Sequence, residues 1–151
     1  TTEDRTVVAA ALEREVKTGA PAAAMELPDG TIVTGRTSEV LGACAALLLN
    51  ALKTLGGMHD RLHLISPVVL DPIQHLKTQH LGNRNPRLHT DETLIALSIC
   101  AATNPTAELA MEQIDKLRGC EVHSTVILSE VDVRTFKRLG VNLTCEPRFK
   151  V

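Results

Sequence analysis

From Ser38 to about Leu55 the chain reads as a helix with almost no polar face. Val40, Leu41, Cys44, Leu47, Leu48, Leu49 and Leu52, with alanines between them, surround the axis. A helix that is apolar all round is buried all round. At this length it is an internal helix, lying against a sheet and covered by other helices or by a partner. Thr37 or Ser38 caps its start, Glu39 favours its first turn, and Gly56-Gly57 ends it. Gly42 and the small residues beside it permit close backbone approach.

The rest of the chain must supply that sheet and cover. Residues 3–18 carry a helical stripe stopped by Gly19. Residues 1–20 are then either a helical leader packed on the domain or the tail of a preceding one, and 21–151 form a single α/β domain. Ala22 to Leu27 and Thr31 to Thr34 flank Pro28-Asp29-Gly30, a hairpin signal. Leu62 to Ile65 reads as a short strand. Pro67 opens a helix to about Leu81 in which Pro72 marks a break. Helices follow from Thr90 and from Pro105 to Leu117, then a strand from Val122 to Leu128. A helix capped by Ser129 and a last strand from Val141 to Cys145 complete the order. Alternating strands and helices imply a mixed, mainly parallel sheet covered on both faces, with one antiparallel hairpin.

Composition sets limits on function. With 151 residues, 44% hydrophobic and 23% charged, the chain has the size and balance of one globular domain. Two Phe, no Tyr and no Trp give an aliphatic core without the stacking platforms of single-strand nucleic-acid binders. A net charge of -2 without a basic block argues against nucleic acid or acidic membrane as partner. No apolar run has transmembrane length, and no signal peptide is evident. The first residue is Thr1, so a segment of a longer protein is expected. Cys44, Cys100, Cys120 and Cys145 lie far apart, and three have apolar surroundings, which fits reduced thiols in the cytoplasm.

Four chemistries can be weighed. For zinc there is no Cys-x-x-Cys or His-Glu-x-x-His; His59 and His63 fall in a loop and a strand, and His75 and His80, five apart on a helix, point to different sides. No metal or other cofactor is expected in this segment. Gly35-Arg36-Thr37-Ser38 precedes a helix start, where an anion could sit on Thr37 and Ser38, but a plain capped helix explains it better. Cys44 lies near a helix N-terminus, which lowers a thiol pKa, yet its apolar neighbours raise it, and a buried core cysteine is the better reading. The fourth is the turn Gly82 to Glu92. Arg84 and Arg87 can grip a carboxylate or phosphate, Asn83 and Asn85 supply amides, and His89 can exchange a proton with Asp91 as its orienter. Turn and cap chemistry accounts for about half of that cluster, but not for two arginines and a histidine.

The strings Ala24-Met-Glu-Leu-Pro-Asp-Gly-Thr-Ile-Val-Thr-Gly, Leu47-Leu-Leu-Asn-Ala-Leu-Lys, Leu64-Ile-Ser-Pro, His80-Leu-Gly-Asn-Arg-Asn-Pro-Arg-Leu-His-Thr-Asp-Glu and Leu117-Arg-Gly-Cys-Glu-Val-His-Ser carry a resemblance. Over nearly the whole chain it is similar to the C-terminal part of the bacterial domain of unknown function family 1846. The resemblance implies a three-layer α-β-α sandwich similar to the cytidine-deaminase fold. Where deaminases carry His/Cys-x-Glu this chain has Thr37-Ser38-Glu39, and where they carry Pro-Cys-x-x-Cys it has Ser66-Pro67-Val68-Val69-Leu70. Without those ligands there is no zinc-activated water, so the resemblance does not imply a deaminase. Some relatives carry a peptidase label, which nothing in this segment supports. Longer relatives have an N-terminal part with a glycine-rich stretch, so the remainder of the same protein is an expected partner.

Two functional expectations follow. One is an accessory domain of a larger enzyme-like protein, binding a small anionic ligand at the Gly82 to Glu92 turn. The other is a non-catalytic assembly module in which the Ser38 to Leu55 helix helps to build a domain or homo-oligomer interface.

Overall fold

The hairpin forms as its turn residues require. In the computed structural model, which describes residues 5–148, β1 (Ala22–Glu26) and β2 (Ile32–Arg36) pair antiparallel, with Ala24 opposite Thr34. Gly30 takes φ 88°, a left-handed value that glycine adopts without strain, and the Asp29 carboxylate accepts the Thr31 N–H at 2.9 Å. β2 continues through Gly35 to Arg36 instead of ending at the glycine.

Before the hairpin, α1 (Thr6–Thr18) buries Val7 and Ala11 against Ala24 on one face of the sheet. Residues 3 and 4 of the expected helix lie outside the described residues. On the other face, Ala23 and Met25 meet α2 (Ala43–Leu55), whose Leu47, Leu48, Ala51 and Leu52 are fully buried. The apolar helix is thus largely internal, but not buried all round: Ala46, Leu49 and Asn50 are half-buried along one stripe, and Thr54 is exposed.

Its start is five residues later than expected. Ser38 Oγ accepts the N–H groups of Val40 and Leu41, at 3.3 and 3.1 Å, and so closes a turn rather than a helix. Leu41 then bridges in parallel to Leu88, and the first helical residue is Ala43.

The segment Leu62 to Ile65 is not a strand; it is a bend whose Leu64 and Ile65 side chains are buried in the core. α3 (Pro67–His75) passes through Pro72 without a break and runs into a π-helical turn, Leu76–His80. Wider winding brings residues five apart onto one side. His75 and His80 consequently meet edge to face, with ring centroids 5.3 Å apart, and do not point apart.

α4 (Thr90–Ala101) follows, then α5 (Pro105–Glu112), capped by Asn104 and succeeded by a 3-10 turn at Ile114–Leu117. β3 (Glu121–Ser124) is shorter than its β-branched run suggests. α6 (Glu130–Leu139) starts at its Ser129 cap, and β4 (Asn142–Cys145) ends the sheet.

Among the described residues the sheet has four strands in the order β2-β1-β3-β4. β1 pairs antiparallel with both β2 and β3, and only β3 and β4 run parallel, joined through α6. The sheet is mixed, not mainly parallel. The reason is local: with no strand at Leu62 to Ile65, a single strand-helix-strand crossover remains to make a parallel pair.

Candidate functional site

Two segments far apart in sequence are zipped together beside the start of α2. Leu88 N–H donates to the Val40 carbonyl at 2.9 Å, and Gly42 N–H donates to the Leu88 carbonyl at 3.3 Å. The next residue, His89, is thereby held close to the first turn of α2. Arg87 Nε also donates to the Ser38 carbonyl, and Arg87 N–H donates to Asn85 Oδ1 at 3.0 Å.

A buried lysine anchors the turn from below. Lys77, 4% exposed, donates to the Arg87 carbonyl at 2.6 Å and to Glu92 Oε1 at 2.7 Å. The same Glu92 oxygen accepts the His89 N–H at 2.8 Å, so carboxylate and lysine fix the backbone on both sides of Leu88.

α6 supplies the acid. Ser129 Oγ accepts the Asp132 N–H at 3.3 Å, and Asp132 projects from that first turn into the interior. Its Oδ1 accepts the N–H and the hydroxyl of Thr90, the first residue of α4, at 3.0 and 2.7 Å. Its Oδ2 lies 3.8 Å from His89 Nδ1, an ion-pair distance. Burial alone would push the Asp132 carboxyl up, but the contacts from His89 and Thr90 outweigh it and hold its pKa below the ordinary value. The same carboxylate raises His89 against the burial that lowers it. With Nδ1 turned to the acid, Nε2 is the nitrogen left for proton exchange.

These groups border a cavity of about 410 Å³. Thr37, Cys44, Asn85, Arg87, His89 and Asp132 are its polar lining, and Leu88, Val126 and Leu128 its apolar wall. The first-turn N–H groups of an α-helix have no carbonyl four residues back, so this end of α2 carries partial positive charge.

Of the residues singled out in the sequence, Thr37, Asn85, Arg87 and His89 come together here. Ser38 lines a neighbouring cavity together with Lys53; Asn83 and Arg84 are exposed and do not line the His89 cavity; and Asp91 lies exposed at a groove between α4 and α6. Asp132, not Asp91, stands beside His89. No sequence signal pointed to Asp132, because a carboxylate three residues after a capping serine reads as ordinary helix chemistry. Cys44, expected as a buried core thiol, is one: it is 2% exposed and belongs to the core at the second position of α2, where that helix borders the cavity. Among the described residues no three His, Cys, Asp or Glu side chains gather as a metal centre. No helix among them is long and apolar enough to cross a membrane.

The architecture is thus an α/β domain with a mixed four-stranded sheet and a polar cavity at the start of its buried helix. The chain belongs to the family described as domain of unknown function DUF1846, C-terminal, whose model matches residues 3–151. It is 59% identical over 148 residues to a UPF0371 protein of Corynebacterium efficiens and 57% identical over 150 residues to one of Corynebacterium glutamicum. A UPF0371 protein of Streptococcus thermophilus is 51% identical over 150 residues. These alignments cover 98%, 99% and 99% of this chain, which spans about 30% of the length of each relative.

Proposed function

We propose that the cavity at the start of α2 binds a small anionic ligand, a carboxylate or a phosphate, as an accessory site of a larger enzyme-like protein. His89 exchanges a proton with that ligand or with its reaction partner. The observation that carries this reading is a half-buried histidine at ion-pair distance from a buried carboxylate on the wall of a cavity. A histidine whose pKa is tuned by a fixed carboxylate in a cleft is a frequent device for proton transfer. Arg87 and the first turn of α2 supply positive charge for the anion. We read α1, the sheet and the remaining helices as three layers of a deaminase-like sandwich, with Thr37-Ser38-Glu39 and Ser66-Pro67 where zinc ligands would stand.

The test is a thermal-shift titration of the full-length protein with phosphate, dicarboxylates and nucleotides. An anion that raises the melting temperature of wild type and of Arg84→Ala, but not of Arg87→Ala or His89→Gln, is the expected result. No shift with any of these anions, or an equal shift in all four proteins, overturns the reading.

The assembly alternative finds little to rest on in α2, most of whose apolar surface packs in the core of this chain. It moves to α4, where Ile95 and Ile99 are more than half exposed. Ile95→Asp with Ile99→Asp should lower the oligomeric mass in light scattering if that face is an interface.

A further inference from the structure

We propose that the groove between α4 and α6 docks a second copy of this chain, with α4 of each protomer lying antiparallel in the groove of the other. The inference rests on the assembly reading of α4 and adds to it a partner and a register. It is independent of the anion site.

The sequence of α4 asks for a cover. Leu94, Ile95, Ala96, Leu97, Ile99 and Cys100 leave it little polar surface beyond its first turn, and a helix apolar all round is buried all round. Ala96, Leu97 and Cys100 enter the core of this chain. Ile95 and Ile99, one turn apart on a shared face, are instead 57% and 53% exposed. Ile95 borders a groove of about 330 Å³, whose apolar lining is completed by Leu94, Val131 and Leu139. An exposed apolar strip beside a groove, rimmed by charge, has the make-up of a docking surface.

Charge selects the occupant. α4 and α6 start together, where Thr90 meets Asp132. Asp91, in the first turn of α4, therefore lies at one end of the groove, and Arg138, in the last turn of α6, lies towards the other. Arg134 lines the groove one turn before Arg138. Like charges four residues apart on a helix repel, and among the described residues neither arginine has an ion-pair partner. Asp91 accepts the Glu92 N–H at 2.7 Å through Oδ1, which leaves Oδ2 for a partner. A second α4 laid antiparallel in the groove brings its own Asp91 to the arginine end and its Ile95 against the apolar lining. Two-fold symmetry then makes every contact twice, acid to arginine and isoleucine to isoleucine. The groove is complementary to its own reverse, and that property points to a second copy over an unrelated segment.

The experiment measures the mass of the full-length protein by light scattering and sedimentation over a range of concentrations. It compares wild type with Ile95→Asp, Asp91→Arg, Arg138→Asp and the charge exchange that joins the last two. Wild type is expected to be a dimer and Ile95→Asp a monomer. Each single reversal should weaken dimerisation about tenfold, because symmetry counts it twice, and the charge exchange should restore it. All four positions changed or paired here are at the surface, and circular dichroism melting checks that each variant folds. A monomeric wild type overturns the assembly reading and the docking with it. A dimer indifferent to Ile95→Asp puts the interface elsewhere and overturns both as well. Dissociation by Ile95→Asp without rescue by the charge exchange leaves α4 as an interface but overturns the antiparallel second copy.

Discussion

Gly35 of β2 lies directly against the backbone of Leu47 in α2, with no room for a side chain between them. A Cβ at Gly35 would stand 2.7 Å from both the Leu47 Cα and the Ala43 carbonyl oxygen, and closer still to the Leu47 nitrogen. The contact sets how deep α2 sits on the sheet, and therefore where its first turn meets the cavity. At Gly42, expected from the sequence to be the close approach, an added Cβ would meet nothing nearer than 3.8 Å.

Gly35→Ala should therefore be strongly destabilising, by about 3 kcal/mol, because the neighbour is backbone that cannot rotate away. Urea unfolding followed by circular dichroism measures it. A Gly35→Ala midpoint equal to wild type would mean that helix and strand separate more easily than their contact implies.

Lys77 should matter more to stability than a helical lysine normally does. Lys77→Met keeps the bulk of the chain but removes both donors, leaving the Arg87 carbonyl and Glu92 without their partner. Glu92 is partly exposed and recovers some hydration, so the expected loss is roughly 2 kcal/mol and not the larger figure for a fully buried pair. Unfolding in urea again reports it, and His89 amide exchange should quicken in the same variant, since Glu92 also holds that N–H.

What the sequence made legible was local. Asp29-Gly30 specifies its turn within four residues, Ser129 and Asn104-Pro105 cap helices within three, and the apolar run after Gly42 is buried wherever it falls. What it hid was pairing across distance. β1 takes β3 as its second neighbour, about a hundred residues on, and no periodicity encodes that choice. Ser38 illustrates how tertiary structure overrides a cap: it has the chemistry to start a helix, but the Leu41–Leu88 bridge draws the following residues into extended pairing. The candidate site divides the same way. Asn85, Arg87 and His89 were visible as a polar turn, whereas Asp132 reaches His89 only because α6 packs beside α4.

His123 offers a pH prediction at the sheet. It is wholly buried between Thr144, 2.7 Å from Nδ1, and Glu146, 2.9 Å from Nε2. Arg5 donates to Thr144 Oγ1 at 2.6 Å and pairs with Glu121, so the Thr144 hydroxyl proton turns toward Nδ1 and the ring keeps its proton on Nε2. Burial lowers its pKa, with Glu146 opposing and Arg5 reinforcing. A histidine depressed in the folded state contributes stability that is complete above its unfolded pKa, near 6.5, and is lost as pH falls through the folded value. Wild type should therefore weaken in urea as pH drops below 6.5, and His123→Gln should weaken less over the same range. Parallel curves for the two proteins would contradict this.

Of the His89–Asp132 pair, the histidine has the opposite sense and the carboxylate the same one. His89 is raised in the folded state, so its contribution is complete below its unfolded pKa, near 6.5, and is lost as pH rises through the folded value. Asp132 is lowered, so its contribution is present above its unfolded pKa, near 3.8, and is lost as pH falls through the folded one. The coupling between them is greatest in the window where His89 is charged and Asp132 ionised. A double-mutant cycle of His89→Gln and Asp132→Asn should give a larger coupling at pH 6 than at pH 9; because His89 keeps part of its hydration, about 1 kcal/mol is the most it should reach. Proton NMR should put the His89 midpoint above 6.5 in wild type and lower in Asp132→Asn. Asp132→Ala should cost about 2–3 kcal/mol at either pH, because it strands the buried N–H and hydroxyl of Thr90 whatever the charge on His89. A coupling that is flat with pH would mean that the carboxylate serves Thr90 alone, and that His89 is not held by charge.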